Sequence, residues 1–273
     1  MQPLAEHIDW TRPWLRPLLP YRHVVAADDW LAELNCLARE ADLRNHRHSP
    51  VRFVPQAYLP TDTAYELFIS ESGAVPTRRN AHDFFNALIW LNFPTTKKQL
   101  NALQADAIQR RREESLARTS HGRGALRDAI TVFDENGAVF VCADPRMAAL
   151  LRERCWVDLF VRERDHFLAS CEVWLFGHAI LEKLLTPFKA ITAHALPLHV
   201  EKSYFRLSHD ERKRLIDSMI ANDLDHGFTT RSLLPLPVAG IPGWAEQQDE
   251  QFYLDSSVFR PKRQTAGGLH TKE

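Results

Sequence analysis

Residues 80–94, NAHDFFNALIWLNFP, constrain the fold more than any other stretch of this chain. At 100° per residue, Phe84, Phe85, Ala87, Leu88, Ile89 and Leu91 fill one broad helix face that has to be buried against other elements. The remaining arc carries His82, Asp83, Asn86 and Trp90. A helix face that merely meets water usually carries Lys, Glu and Arg. This set suits a cleft in which polar groups are needed at fixed positions. Asn80 is a fitting N-cap and Pro94 a stop, so the spacing predicts a helix through Leu91. The plainer reading of the polar arc is a partly exposed face with a locally hydrogen-bonded His and Asp.

A core large enough to receive such a helix is within reach of the composition. The chain has 273 residues, 45% of them hydrophobic, and a domain of that size buries roughly 75% of the surface its unfolded chain exposes without help from disulfides or a structural metal. Lys and Arg number 34 against 35 Asp and Glu, which excludes a globally basic nucleic-acid binder and an acidic disordered chain. The first twenty residues lack the charged, apolar and small-residue zones of a secretory signal, and no window reaches eighteen apolar residues, so a soluble, cytoplasmic protein with no membrane partner is expected. Cys36, Cys142, Cys155 and Cys171 form no CxxC pair and are expected to be reduced and structural.

The remaining pattern is irregular. Helical spacing runs from about Asp28 to Leu43, and a second helix is expected from Thr95 or Thr96. VRFVPQAY and AYELFIS read as short strands and loops. LRDAITVFDENGAVFVC reads as a β-hairpin turning at Asn136-Gly137, with Phe133 opposite Phe140. Asp144-Pro145 is a helix start, WLFGHAILEKLL a buried helix, ITAHALPLHV a strand, and Ser208 with Glu211 a capping box for a helix through about Ala221. LLPLPVAGIPGW is too rich in Pro and Gly to be regular and is expected to lie extended across the surface. Together these imply an α+β fold, a mainly helical single domain over residues 1–260 packed around a small antiparallel sheet containing the hairpin. Residues 261–273 are expected to be a disordered tail.

Several polar residues fall on faces that the spacing marks as core. His178 and Glu182, four apart, share a helix face flanked by leucines, and a buried imidazole and carboxylate must be paired or hold something charged. The bland reading is a satisfied core pair; the sharper ones are metal ligation or acid–base work with Glu182 orienting His178. Read as a strand residue, Asp128 shares a face with Leu126, Ile130 and Val132, whereas Asp134 falls to the turn. His194 takes the inward parity of its strand, and His46, His48 and His270 read as solvent-facing. The stretch QRRREESLARTSHGRGALR holds six arginines against two glutamates. With Arg78, Arg79, Lys97 and Lys98 it could meet phosphates, although a solvated helix end explains it as well. His82-Asp83 is similar to the pair of the helical metal phosphohydrolases, but the upstream histidines, His46 and His48, precede strand-like and loop-like sequence.

The runs ESGAVPTRRNAHDFFNALIWLNFPTTKKQLNALQ, RGALRDAITVFDENGA, FGHAILEKLLTPFKAITAH and LPVAGIPGW resemble an uncharacterised proteobacterial domain-of-unknown-function family, family 3025. The resemblance spans roughly residues 30–261 and implies a bacterial protein, but no activity and no site residue.

From the residues themselves, the expected function is metal-assisted hydrolysis of a small anionic substrate, a phosphate or carboxylate. His82, Asp83, Asp128, His178 and His194 are the candidate ligands for a divalent Zn, Mn or Fe ion, and His82, Asp83, Asp128, His178 and Glu182 the candidate catalytic set. Asn86, Trp90, Arg78, Arg79 and Arg123 would hold substrate. A metal-free variant uses His178 and Glu182 alone. The alternative is a non-catalytic protein that binds nucleic acid or another protein through its arginine-rich segment and an exposed Trp.

Overall fold

The computed structural model describes residues 4–117, 124–226 and 228–262. A short helix α1 (Leu4–His7) leads into a 3-10 stretch, Pro13–Tyr21, before α2 (Trp30–Glu40), whose N-cap Asp29 accepts from the Ala32 amide at 3.0 Å. Strand β1 (Arg52–Pro55) pairs in parallel with β2 (Ala74–Thr77), and α3 (Tyr65–Ser72) lies between them in sequence. There follow α4 (Ala81–Asn92), α5 (Pro94–Ala117), α6 (Gly124–Asn136), β3 (Gly137–Cys142), α7 (Pro145–Glu153), α8 (Arg164–Ser170), β4 (Cys171–Leu175), α9 (His178–Lys183), β5 (Thr192–His199), α10 (His209–Asp225), β6 (Leu234–Pro237) and α11 (Glu250–Tyr253). The second sheet has the order β4-β3-β5-β6.

The single-domain α+β reading holds, but the sheet is mixed. β3 runs antiparallel to β4 and parallel to β5, and β6 closes one edge antiparallel to β5. All six residues of β3 are buried, as expected of a central strand written as an unbroken apolar run. β6 is the edge, where Pro235 and Pro237 cost the least ladder bonding. The stretch LLPLPVAGIPGW is therefore regular over four residues rather than irregular throughout.

The expected hairpin is absent. Its first arm is α6, because Leu126, Ala129, Ile130 and Phe133 recur at helical spacing and the last three are buried on one side. The run Ile130-Thr131-Val132 has strong β preference, and tertiary packing overrides it. Asn136-Gly137 is the junction of α6 and β3. Glycine is required there: a Cβ on residue 137 would meet the Phe133 carbonyl at 2.2 Å. Phe133 does not face Phe140; it stacks on Phe176 with ring centroids 4.7 Å apart.

Two further expectations change. AYELFIS is helical, ending at Gly73 in the left-handed region (φ 70°). WLFGHAILEKLL breaks at Phe176-Gly177 into the end of β4 and α9. The caps stand as expected: Asn80 accepts from the Asp83 amide at 2.8 Å, Asp144 precedes Pro145, and Ser208 with Glu211 forms a capping box on α10, which runs on to Asp225. The α5 N-terminus receives a cap from elsewhere in the chain. Asp217 of α10 accepts from the Thr95 and Thr96 amides at 2.9 and 2.8 Å.

All four cysteines are free of disulfides. Among the described residues no helix is long and apolar enough to cross a membrane. Residues 263–273, most of the expected tail, lie outside the described residues, as does Arg123 within the arginine-rich segment.

Candidate active site where α4, α6 and α9 meet

Ten of the twelve residues of α4 are buried. Its polar arc therefore faces other parts of the chain, and each polar group on it needs a partner. Asp83 accepts from the Arg78 amide at 2.6 Å and from the Arg78 guanidinium at 2.9 and 3.0 Å. Asn86 donates to the Tyr65 hydroxyl at 3.1 Å and accepts from Lys97 Nζ at 3.0 Å. Lys97 itself is buried, lies 5.5 Å from the centre of the Trp90 ring, and donates to Asp134 at 2.6 Å.

At the N-terminal end of α4 the arc meets α9 and the end of α6. His82 Nδ1 lies 2.9 Å from Glu182 Oε2, and His82 Nε2 lies 3.0 Å from His178 Nε2. Glu135 Oε2 is 3.6 Å from the same His178 nitrogen. His82, His178 and Glu135 each offer one ligand atom, and the three atoms lie within 4.8 Å of one another. His178 is buried, whereas the side chains of His82, Glu135 and Glu182 are 31%, 37% and 43% exposed, so the cluster opens to solvent on one side.

Gly177 makes the convergence possible. A Cβ there would lie 2.5 Å from the Glu135 carbonyl and from the Gly137 nitrogen, so only glycine lets the start of α9 press against the end of α6. The Gly177 amide donates to the Gly137 carbonyl at 2.8 Å across the same contact.

The charges are unevenly held. Burial drives the His178 imidazole down to about 4, with Lys97 and His82 acting in the same sense and Asp134 opposing them, so this ring is neutral at pH 7. Asp134 is also buried, which by itself would raise it, but Lys97 and the two histidines hold its carboxyl below the usual range. Glu135 is raised, first by burial. Glu66, held by Asn101 Nδ2 at 2.6 Å, is raised by burial too, as is Tyr65.

The two rings are joined nitrogen to nitrogen. His82 Nδ1 faces a carboxylate oxygen, which calls for a proton on Nδ1 and leaves Nε2 as a lone pair. His178 Nδ1 is buried and has no hydrogen-bond partner among the described residues, so nothing holds a proton on it. A proton on His178 Nε2 then donates to the His82 Nε2 lone pair at 3.0 Å, and a cation binding between the rings would take the place of that proton.

Of the residues singled out by sequence, the fold gathers His82, Asp83, Asn86, Trp90, His178 and Glu182. Arg78 is also here, but it is committed to Asp83. Asp83 is occupied in return and lies outside the His/His/Glu group. Asp128 is exposed on α6, since the strand face that would have buried it does not exist, and His194 is exposed on β5. Arg79 is exposed, and among the described residues its side chain makes one hydrogen bond, to the Asp28 carbonyl at 3.5 Å. Trp90 is buried and offers no surface to nucleic acid. No sequence motif marks Glu135 or Tyr65; Lys97, expected among the phosphate-meeting cations, is buried against Asp134, and Asp134 is a buried member of the cluster rather than a turn residue. The helical period of α6, with Asp134 four residues after Ile130, was the signal for it.

No curated protein and no solved structure matches the chain. Residues 51–263, which include every member of the cluster, match the model of a family described as "Protein of unknown function (DUF3025)". The chain belongs to that family.

Proposed function

We propose that this protein is a metal-assisted hydrolase whose divalent cation is held by His82, His178 and Glu135. The observation that carries the reading is the pair of Nε2 atoms 3.0 Å apart with a carboxylate 3.6 Å from one of them. Bonds of about 2.05 Å to both nitrogens subtend about 94°, and opening the pair by some 0.3 Å reaches tetrahedral geometry; the 3.6 Å pair subtends about 120°. Glu182, bonded to His82 Nδ1, is the carboxylate that fixes the ring's tautomer in such sites.

Three protein ligands leave a fourth position for water, on the side where His82 and Glu135 are part-exposed. A cation held by His82, His178 and Glu135 would supply the chemistry of an activated water at neutral pH, suited to hydrolysis of a carboxylic or phosphoric ester with release of its alcohol. Because Arg78 is spent on Asp83, the cation itself would meet the anionic group of the substrate, with Lys183, which donates to Asn136 Oδ1 at 2.8 Å, adding positive charge beside Glu135. The mixed N/O ligand set suits zinc, manganese or iron.

The test is metal analysis of tag-free protein loaded with zinc and dialysed, alongside hydrolysis of p-nitrophenyl phosphate and p-nitrophenyl acetate. About one equivalent of metal is expected, falling by at least tenfold in His82→Ala and Glu135→Gln with unchanged circular dichroism. A chelator should abolish hydrolysis of one of the esters. Metal content well below stoichiometric in the wild type, or the same in both variants, refutes the site.

A further inference from the structure

The 3-10 stretch Pro13–Tyr21 and the first turn of α10 border a cleft of about 750 Å³ that is widely open to solvent, lined by Arg16, Leu19, Pro20, Arg22, His23 and His209. It lies at the other end of α4 from the histidine cluster: the Tyr21 hydroxyl bonds the Leu91 carbonyl, nine residues beyond His82. With three residues per turn, a 3-10 helix stacks positions i, i+3 and i+6 in rows. One row, Leu15, Leu18 and Tyr21, turns into the core. The next, Arg16, Leu19 and Arg22, turns outward into the cleft, with the two arginine Cα atoms about 12 Å apart at 2.0 Å rise per residue. Prolines at 13, 17 and 20 stiffen the stretch.

The row reads cation, apolar, cation. Among the described residues neither Arg16 nor Arg22 has an ion pair or a side-chain hydrogen bond, unlike Arg12 beside it, which pairs with Asp9 at 2.8 Å. Opposite them, His209 rests on the Trp174 ring with centroids 4.9 Å apart. Two acidic groups act on His209: Glu172, which is committed to Tyr204 and Arg212, and Asp210, whose side chain is 72% exposed and lies 3.7 to 3.9 Å from Lys213 and His209 rather than against either arginine. Leu19, Pro20 and the arginine stems give the cleft apolar walls beneath a cationic rim. Uncompensated guanidiniums above an apolar wall are what an organic anion requires: the forks receive a phosphate or carboxylate and the wall receives the body attached to it.

We infer that this cleft is a binding site for a small organic anion, a phosphate or carboxylate carried on an apolar body, separate from the histidine cluster. The volume accommodates a ligand of ordinary cofactor or metabolite size.

The test is calorimetric titration of the full chain with 1-naphthylphosphonate, which has both parts and no hydrolysable bond, against inorganic phosphate and 1-naphthol as the separate parts. The phosphonate should bind at least tenfold more tightly than either part. The paired substitution Arg16→Gln and Arg22→Gln, at exposed positions, should weaken it at least tenfold with unchanged circular dichroism, while Arg231→Gln and His82→Ala leave it unchanged. No binding of the phosphonate, equal affinity for inorganic phosphate, or unchanged affinity in the paired variant overturns the inference. Loss of binding in His82→Ala assigns the ligand to the histidine cluster and overturns it too.

Discussion

Replacing Lys97 with Met tests whether the interior of the candidate site is organised electrostatically. Lys97 Nζ donates at 2.6 Å to Asp134 and at 3.0 Å to Asn86, and the side chains of the lysine and the aspartate are 5% and 11% exposed. Methionine preserves most of the volume and removes the charge, leaving a buried carboxylate with no cation and an Asn86 carbonyl with no donor. Breaking a buried pair from one side costs about 3–5 kcal/mol, a loss of roughly 6–20 °C in Tm at the 2–4 °C per kcal/mol of a domain of this size. Asp134→Leu strands the ammonium instead and should cost a similar amount. The double variant strands neither and should be no worse than either single change, giving a coupling energy of about 3–5 kcal/mol in a double-mutant cycle.

The same variant carries a pH signature. In the wild type the Asp134 carboxyl lies below its ordinary value, so its contribution is fully present above the unfolded carboxylate pKa and is lost as pH falls through the lower folded value. Without Lys97 the burial term is opposed only by the histidines, and the carboxyl should move above its ordinary value. Its contribution then changes sign: the folded state is penalised at neutral pH and relieved as pH falls through the raised value. Urea unfolding followed by circular dichroism at pH 8 and pH 5 should therefore show Lys97→Met less destabilised, relative to wild type, at the lower pH. A cost under about 1 kcal/mol, additive single variants, or a pH-independent difference would refute the electrostatic account.

Two further outcomes follow from the same geometry. Gly177→Ala would bring a methyl to within 2.5 Å of the Glu135 carbonyl and the Gly137 nitrogen; a cost above about 2 kcal/mol is expected, with loss of metal retention as α9 is pushed from α6, and a thermally unchanged, metal-retaining variant would refute the close-packing argument. Glu182→Gln keeps an oxygen near His82 Nδ1 but removes the charge, so zinc affinity measured by competition with a chelator should fall about 10- to 100-fold without a change in fold; equal affinity would mean that the carboxylate does not orient the ring.

How much of this was legible in the sequence depended on whether periodicity and local chemistry agreed. At α4 they did: Asn80, the apolar stripe and Pro94 all mark one helix, so the spacing alone places His82, Asp83 and Asn86 on one arc. The capping box on α10 was readable for the same reason, since Ser208 and Glu211 bond within one turn. At α6 the signals competed. Ile130-Thr131-Val132 and Asn136-Gly137 are locally β-like, and only the four-residue spacing of the buried side chains records the helix. One wrong period displaced two carboxylates: Asp128 moved to an apolar face it does not occupy, and Asp134 moved out of the interior it does.

The glycines explain why that error reached the candidate site and not only the sheet. As a hairpin residue, Gly137 is a turn former whose partner is Asn136. As a junction residue, it is a point of backbone contact whose partners are distant in sequence: the Phe133 carbonyl forbids a side chain on it, and its carbonyl accepts from the Gly177 amide forty residues later. The second glycine is likewise constrained by the Glu135 carbonyl and the Asn136 nitrogen. Gly137 and Gly177 together bring the last turn of α6, with Asp134 and Glu135, to the first residue of α9, His178. The His178–Glu135 approach thus arises from two missing side chains, and the His82–His178 approach from the packing of α4 on α9. A side-chain cluster assembled by backbone contact has no spacing of its own in the sequence, which is why His82 and His178 are each recognisable alone while Glu135 is not.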